Sequence, residues 1–141
     1  MLQLAKWLFV LTCATASSLA HSQGNSNHAS CTVSSATLPD LLVVEDDLSQ
    51  FGPKLEAVQL VVLQNQRKAV NFSVRNVPVN GNFQLWNVRY KVTWHDACGR
   101  LMPDVSNSID GFVLHPNDVR NLQEVAFDMR AVRATLKVYI E

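Results

Sequence analysis

Beyond residue 40, apolar and polar residues alternate with a period of two, whereas a helix would show a period of about 3.6. The longest alternating stretch is 83–96, in which Val88, Tyr90, Val92 and Trp94 share one parity. Successive side chains of a strand point to opposite faces of a sheet, so this stretch predicts a strand with an aromatic-rich core face. The residues predicted to point outward form a basic row: Arg89, Lys91, Thr93 and His95.

Six further segments have the length and composition of strands: 41–47, 55–68, 71–77, 109–116, 119–127 and 133–141. The segment 55–68 is also compatible with a short helix, but its density of β-branched residues favours a strand. A helical turn is predicted within 127–134. Because turn signals recur about every ten residues and no long helical pattern is present, the sequence predicts an all-β fold. We expect a small antiparallel β-sandwich over 40–141.

The longest predicted strand runs into the sequence Asp-Ala-Cys-Gly at 96–99. Asp in the first position and Gly in the fourth are the preferences of a type I turn. We expect Asp96 to accept a backbone N–H inside the turn and Gly99 to adopt a positive φ on leaving it. His95 and Asp96 are neighbours in an extended chain and point to opposite faces, so they do not form a preformed catalytic dyad.

The first twenty residues have the organisation of a secretory signal peptide. Lys6 supplies the positive charge, 7–16 supplies a short apolar stretch, and Ser-Leu-Ala ending at Ala20 is a small-x-small cleavage site. The apolar stretch of about ten residues is too short for a membrane span, which needs about twenty. We therefore predict cleavage after Ala20 and export, followed by a flexible polar leader over 21–39.

Cys13 offers an alternative to simple cleavage. A lipoprotein signal places its lipidated cysteine after a leucine-like residue and two small residues, and Val10-Leu11-Thr12 is a poor version of that pattern. Lipidation of Cys13 would anchor the protein at the outer membrane. Cleavage after Ala20 would release it into the bacterial periplasm, without a membrane partner. Both outcomes export the domain.

Export changes the interpretation of the remaining cysteines, Cys31 and Cys98. An even number of cysteines in an oxidising compartment predicts one disulfide, which would tie the leader to the turn at 96–99. Chain-entropy models give the closure of a loop of this length, nearly seventy residues, about 4 kcal/mol. The alternative is that both thiols are unpaired, or that Cys98 is buried beside its turn.

Composition and charge exclude several function classes. The chain has 141 residues, 48 % of them hydrophobic, which is enough for one globular domain with its own core. Twelve basic residues balance twelve acidic ones, so no net charge favours nucleic acid as a partner. The four histidines are scattered without metal-ligand spacing, and neither a phosphate loop nor a nucleophile elbow is present. No cofactor or metal is therefore predicted.

The second half of the chain resembles the YcfL-like family of small bacterial envelope proteins. The resemblance is carried by NVRYKVTWHDACGRLMPD, FVLHPNDVRNLQEVAF and RAVRATLKVYIE, and it covers about 55–141. The matching positions are Arg89, Tyr90, Trp94, Asp96, Gly99, Pro116 and the closing 136–139. The resemblance implies an immunoglobulin-like β-sandwich, usually carried on a lipoprotein, with no established activity. His95 stands where the family usually has a second aromatic residue.

These observations favour an exported cell-envelope accessory protein that binds a protein partner and is not an enzyme. The basic row Arg89, Lys91 and His95 is the candidate partner face. The alternative is a ligand-binding, metal-binding or hydrolytic site on loops around His95 and His115, which requires the two imidazole rings to converge.

Overall fold

The computed structural model describes residues 31, 36–78, 81, 83–103 and 108–141, where seven strands form two packed sheets. The four-stranded sheet contains, in spatial order, β1 (Leu42–Asp46), β7 (Arg133–Ile140), β4 (Trp86–His95) and β5 (Asp110–Leu114). The three-stranded sheet contains β2 (Pro53–Val62), β3 (Lys68–Asn76) and β6 (Val119–Val125). A 3-10 helix, Leu38–Leu41, precedes β1. The predicted all-β sandwich is confirmed.

The connectivity interleaves the two sheets. Strand β3 pairs with β6 in one sheet while β4 pairs with β7 in the other. The central strands of immunoglobulin-like sandwiches have the same arrangement, with B beside E and C beside F. One difference from the predicted antiparallel sandwich is that β1 pairs with β7 in parallel. No helix in the described part of the chain is long and apolar enough to cross a membrane.

The core lies between the sheets and follows the predicted alternation. On β4, Val88, Tyr90, Val92 and Trp94 are all buried, and Trp94 has no exposed surface. Strand β3 of the facing sheet contributes Val70, Phe72 and Val74, and the neighbouring strand β7 contributes Leu136 and Val138. Burial of a large apolar side chain contributes about 1.5–3 kcal/mol, so these residues dominate the stability of the sandwich.

Two local predictions need correction. The segment predicted as a strand over 55–68 is a strand, but it begins at Pro53 and ends at Val62. The helical turn predicted within 127–134 is wrong. Asp128 instead heads a turn in which its carbonyl oxygen accepts the Ala131 N–H at 3.1 Å and its side chain accepts the Arg130 N–H at 2.8 Å. The chain makes this single turn and then enters β7 at Arg133, so no further helical hydrogen bonds follow.

Strand β2 contains a β-bulge that the sequence did not indicate. Glu56 pairs with Ser73 and Gln59 pairs with Asn71, so Ala57 and Val58 together oppose Phe72. Ala57 has a φ of 52°, in the left-handed region. This conformation costs a residue with a Cβ about 1–2 kcal/mol, which is why such positions are usually glycine.

Strand β6 is an edge strand with charged side chains on its inward side. Arg120 and Glu124 share the parity of Leu122, which packs against the core. Tyr90 of the other sheet donates its hydroxyl to Glu124 at 2.9 Å. Burial, followed by this hydrogen bond to a carboxylate, raises the pKa of Tyr90 above its ordinary value. The bond therefore ties the two sheets together across the core.

Candidate functional site

The predicted disulfide is present between Cys31 and Cys98, whose Cα atoms lie 5.1 Å apart. Cys98 sits in the predicted turn, where the Gly99 N–H donates to the Asp96 carbonyl oxygen at 3.0 Å and Gly99 has a φ of 77°. The bond fixes the start of the described chain to the end of β4. We call this part of the molecule the disulfide end; it comprises Cys31, the 3-10 helix, the turn at 96–99 and the loop at 126–132.

The carboxylate of Asp96 is occupied by structural hydrogen bonds. Its Oδ1 accepts the backbone N–H groups of Cys98 and Arg100, each at 2.9 Å, and its Oδ2 accepts from the Arg100 guanidinium at 2.8 Å. The bond from the Arg100 backbone is the main cause of a lowered pKa of Asp96. A carboxylate used in this way shapes a turn and is a poor general base.

His95 and His115 lie far apart. His115 follows Leu114, which pairs with Trp86 at the start of β4, whereas His95 is the last residue of that strand. Nine residues of extended chain span about 30 Å. The two imidazoles cannot share a metal ion, so the alternative loop site built on them is wrong. Within the described ranges, no three His, Cys, Asp or Glu side chains are grouped to hold a metal.

The candidate partner face lies on the outer side of the four-stranded sheet. Strand β7 adds two cations that the sequence reading did not place there, because Lys137 pairs with Lys91 and Arg133 pairs with His95. Like charges directly opposite each other on neighbouring strands are destabilising. This register depends on which strands become neighbours, so only the outward parity of these four residues could be predicted from the sequence.

Two cations of this face have acidic partners. Arg89 donates from Nε to Glu141 at 2.7 Å, and the Lys137 ammonium lies 3.6 Å from Glu45. Arg89 also crosses above Gly111, where a Cβ atom would lie 2.6 Å from the Arg89 Cδ. The predicted row is therefore partly neutralised at Arg89, and its excess positive charge is concentrated around Lys91 and Arg133.

Apolar side chains are exposed at the opposite end of the sandwich. The members of this group and their exposed fractions are Phe83, 68 %; Leu85, 55 %; Phe51, 48 %; and Val77, 39 %. Trp86 packs against Phe51, with the two ring centroids 5.9 Å apart. We call this group with Trp86 the apolar end. The connecting segment 76–86 contains no charged residue.

Asn76 holds the apolar end in place. It is buried, with 3 % of its surface exposed, and its Nδ2 donates to the Gln84 carbonyl at 3.0 Å. Its backbone N–H donates to Asp118 at 3.0 Å and its carbonyl accepts from Asn117 at 3.1 Å. A single buried amide thus fixes the chain that carries the exposed apolar residues.

The apolar end was not predicted, because Phe83 and Leu85 fall within the strand predicted at 83–96. Strand β4 begins only at Trp86. Their exposure could have been predicted from the alternation, because both residues are out of phase with the core row that contains Val88 and Tyr90. They would have pointed outward even in a longer strand.

Comparison with known families identifies the chain. A family model described as "Protein of unknown function (DUF1425)" matches residues 47–140. The chain belongs to the DUF1425 family. No curated protein matches it. The resemblance to the YcfL-like proteins in particular stays a prediction.

Solved structures share the fold of this DUF1425 member. The crystal structure of Campylobacter jejuni cj0090 superposes with a TM-score of 0.54 at 20 % identity, covering 72 % of this chain and 98 % of that one. A DUF1425 family member from Shewanella sp. pv-4 superposes with a TM-score of 0.50 at 20 % identity, covering 61 % of this chain and 75 % of the other. At such identity the likeness concerns the fold alone.

The N-terminal predictions lie outside the described residues. These are the signal peptide at 1–20, lipidation of Cys13 and most of the polar leader at 21–39. They stay predictions.

Proposed function

We propose that this protein is an exported cell-envelope accessory protein that acts by binding another protein and performs no catalysis. The observation that supports this most directly is the apolar end. It brings two exposed phenylalanines, Leu85 and Val77 to the same end of the sandwich, where Phe51 packs against a partly buried tryptophan. Exposed apolar groups concentrated in one region mark interaction sites, and aromatic residues supply much of the binding energy at interfaces.

The position of the disulfide supports a protein as the occupant. Residues 1–30 join the described chain at Cys31, which is bonded to Cys98 at the end opposite the apolar one. If the leader is tethered to a membrane through Cys13, the tether joins the domain at the end opposite the apolar end, which leaves the apolar end free to contact a protein.

The basic face has a secondary role in this proposal. The predicted contact residues Arg89, Lys91 and His95 share the outer face of the four-stranded sheet with Arg133 and Lys137. Rim charges mainly accelerate the encounter of complementary surfaces and contribute less to affinity. We therefore expect an acidic region on the partner, beside the apolar surface that contacts Phe83 and Leu85.

Site-specific photo-crosslinking in the native envelope tests the proposal. A photoreactive residue at position 85 should give a discrete protein adduct, and the same residue at position 137 should give less of it. Phe83→Ser should abolish the adduct formed from position 85. Equal labelling from both positions, or an adduct from position 85 that Phe83→Ser does not change, would contradict a binding role of the apolar end.

Charge reversal tests the role of the basic face. Arg89→Glu combined with Lys91→Glu should slow association with the captured partner and weaken its dependence on salt, while the crosslink from position 85 still forms. An unchanged association rate would remove the basic face from the proposal.

Intact mass of the exported protein, with and without reductant, checks the predicted cleavage after Ala20, any lipid on Cys13 and the disulfide.

A further inference from the structure

The outer face of the three-stranded sheet carries a depression that the proposed protein-binding function does not use. It is open and shallow, with a volume of about 370 Å³, and it crosses all three strands. The polar lining comes from Gln59 on β2, Asn71 and Ser73 on β3, and Asn121 and Gln123 on β6. None of the residues that line it is charged.

The lining is rich in side-chain amides with free hydrogen-bonding capacity. Gln123 donates from Nε2 to Asn71 Oδ1 at 2.8 Å, which aligns the two amides and leaves the other oxygen and nitrogen available. The side-chain amides of Gln59 and Asn121 make no hydrogen bond to the described residues. Each amide offers both a donor and an acceptor. This matches a hydroxyl group, which also donates and accepts.

The β-bulge shapes the depression. Ala57 lines its edge and has the left-handed φ of 52°. The other two non-glycine residues of positive φ in the described chain, Gln66 and Asn117, lie in turns between strands, whereas Ala57 lies inside a strand. Backbone strain that persists inside a regular element is concentrated at binding sites, and bulges redirect side chains there.

The bulge is held by a specific contact. Ser73, opposite Glu56 in the register, donates its hydroxyl to the Glu56 carbonyl at 3.1 Å. The Glu56 carboxylate itself is engaged by Arg75 at 3.0 Å, so this neighbouring charge is neutralised. A charged ligand would therefore find no compensating charge among the lining residues.

We infer that this amide face, defined by Gln59, Asn71, Ser73, Asn121 and Gln123, binds a neutral saccharide. Saccharides present rows of hydroxyls that pair with planar amides, and they need no counter-charge. The open shape fits an extended chain of sugars better than a small enclosed ligand. The inference is independent of the protein-binding role proposed for the apolar end.

Nuclear magnetic resonance titration of the ¹⁵N-labelled exported protein, with its disulfide intact, tests the inference. The probes are two neutral oligosaccharides, maltohexaose and chitohexaose, and one anionic oligosaccharide, hexagalacturonate. At millimolar concentration, at least one neutral probe should shift the side-chain amide signals of Gln59, Asn71, Asn121 and Gln123 in a saturable manner. The anionic probe should bind more weakly.

Variants decide whether the shifts arise at the amide face. Asn71→Ala combined with Gln123→Ala should weaken binding by about tenfold or more, as expected for loss of more than one hydrogen bond. Asn87→Ala, which removes an exposed amide from β4 of the opposite sheet, is the matched control and should bind as the native protein does. The inference is overturned if neither neutral probe shifts these signals, if the double variant binds normally, or if the anionic probe binds equally well.

Discussion

The two ends of this sandwich differ in how their loops are held and in which side chains face the solvent. At the disulfide end, a covalent bond and three aspartates, Asp40, Asp96 and Asp128, hold the loops by accepting hydrogen bonds within the chain. At the apolar end, Asn76 positions the backbone, but the outermost side chains are phenylalanine, leucine and valine with water around them. The loops of the first end are held by bonds within the chain, whereas the second end leaves apolar surface that a partner would bury.

The disulfide end also exposes apolar side chains, namely Leu38, Phe127 and Met129, but the most exposed of them contacts a cation. Phe127 is 72 % exposed, yet the guanidinium of Arg67 lies 5.7 Å from its ring centroid and donates from Nε to the neighbouring Ala126 carbonyl at 2.7 Å. A cation over an aromatic face is a favourable contact within the chain. Phe83 has no such cation in its connecting segment, because 76–86 is uncharged.

The largest effect should come from breaking the disulfide end. Cys31→Ser combined with Cys98→Ser should lower the free energy of unfolding by about 4 kcal/mol, because a long loop in the unfolded chain is no longer closed. Urea unfolding measures this, and native protein treated with reductant is the control. The fluorescence of Trp86 should be unchanged in the folded variant. A loss below about 1 kcal/mol would mean that the covalent bond does not stabilise the sandwich.

The next effect should come from the support of the apolar end. Trp86→Ala should lower the free energy of unfolding by about 2 kcal/mol, less than for a fully buried tryptophan because the side chain is only partly buried. Phe83→Ala is the matched control and should change stability by no more than about 0.5 kcal/mol, as a surface residue. Thermal unfolding of both variants measures the two losses of stability. Equal losses would show that Phe83 belongs to the core and is not available to a partner.

A smaller effect of opposite sign is expected in the strand between the ends. Ala57→Gly should raise the free energy of unfolding by about 1 kcal/mol, because glycine adopts the left-handed conformation without the clash of a Cβ. Ala69→Gly, in the neighbouring strand without a positive φ, should instead lower it. Chemical denaturation compares the two. Destabilisation by Ala57→Gly would indicate that the bulge is not strained.

The smallest effect is local and depends on pH. Hydrogen bonds lower the pKa of three carboxyls at the disulfide end below the ordinary 3.8: those from the side chain of Thr37 to Asp40, from the backbone of Arg100 to Asp96, and from the side chain of Arg130 to Asp128. A folded-state pKa below the unfolded value stabilises the fold above the unfolded pKa, and this stabilisation is lost as the pH falls through the folded pKa.

Acidification from about pH 5 to about pH 2 should therefore loosen the disulfide end first. Hydrogen-exchange protection factors, which are corrected for the intrinsic pH dependence of exchange, should fall at the N–H groups of Thr37, Cys98, Arg100 and Arg130, which donate to these carboxylates. The Asn76 N–H, at the apolar end, serves as the internal control because it donates to a backbone carbonyl. An equal fall in protection at both ends would contradict the assignment.

Local patterns were sufficient to predict much of the fold. The alternation from Val88 to Trp94 gave the inner and outer faces of β4, and Asp96 with Gly99 gave the turn that follows. These features depend on residues close together in the chain. The cysteine count, combined with the predicted export, gave the bond between Cys31 and Cys98.

The remaining features depend on long-range pairing or on strain. Lys137 faces Lys91 only because β7 lies beside β4, and the sequence of either strand does not specify its neighbour. Ala57 bends β2 without the glycine that usually marks a bulge. Phe83 and Leu85 continue the apolar composition of β4, so composition could not separate them from the strand. The candidate surfaces therefore required the structure.

The inward charges of β6 also affect how this molecule meets copies of itself. An exposed edge strand is a template for pairing with another chain, which leads to aggregation. A second strand laid against β6 would have to pack beside Arg120 and Glu124, whose charges are already paired with Asp118 and hydrogen-bonded to Tyr90. Charged residues on this edge therefore disfavour the addition of a second copy of the chain.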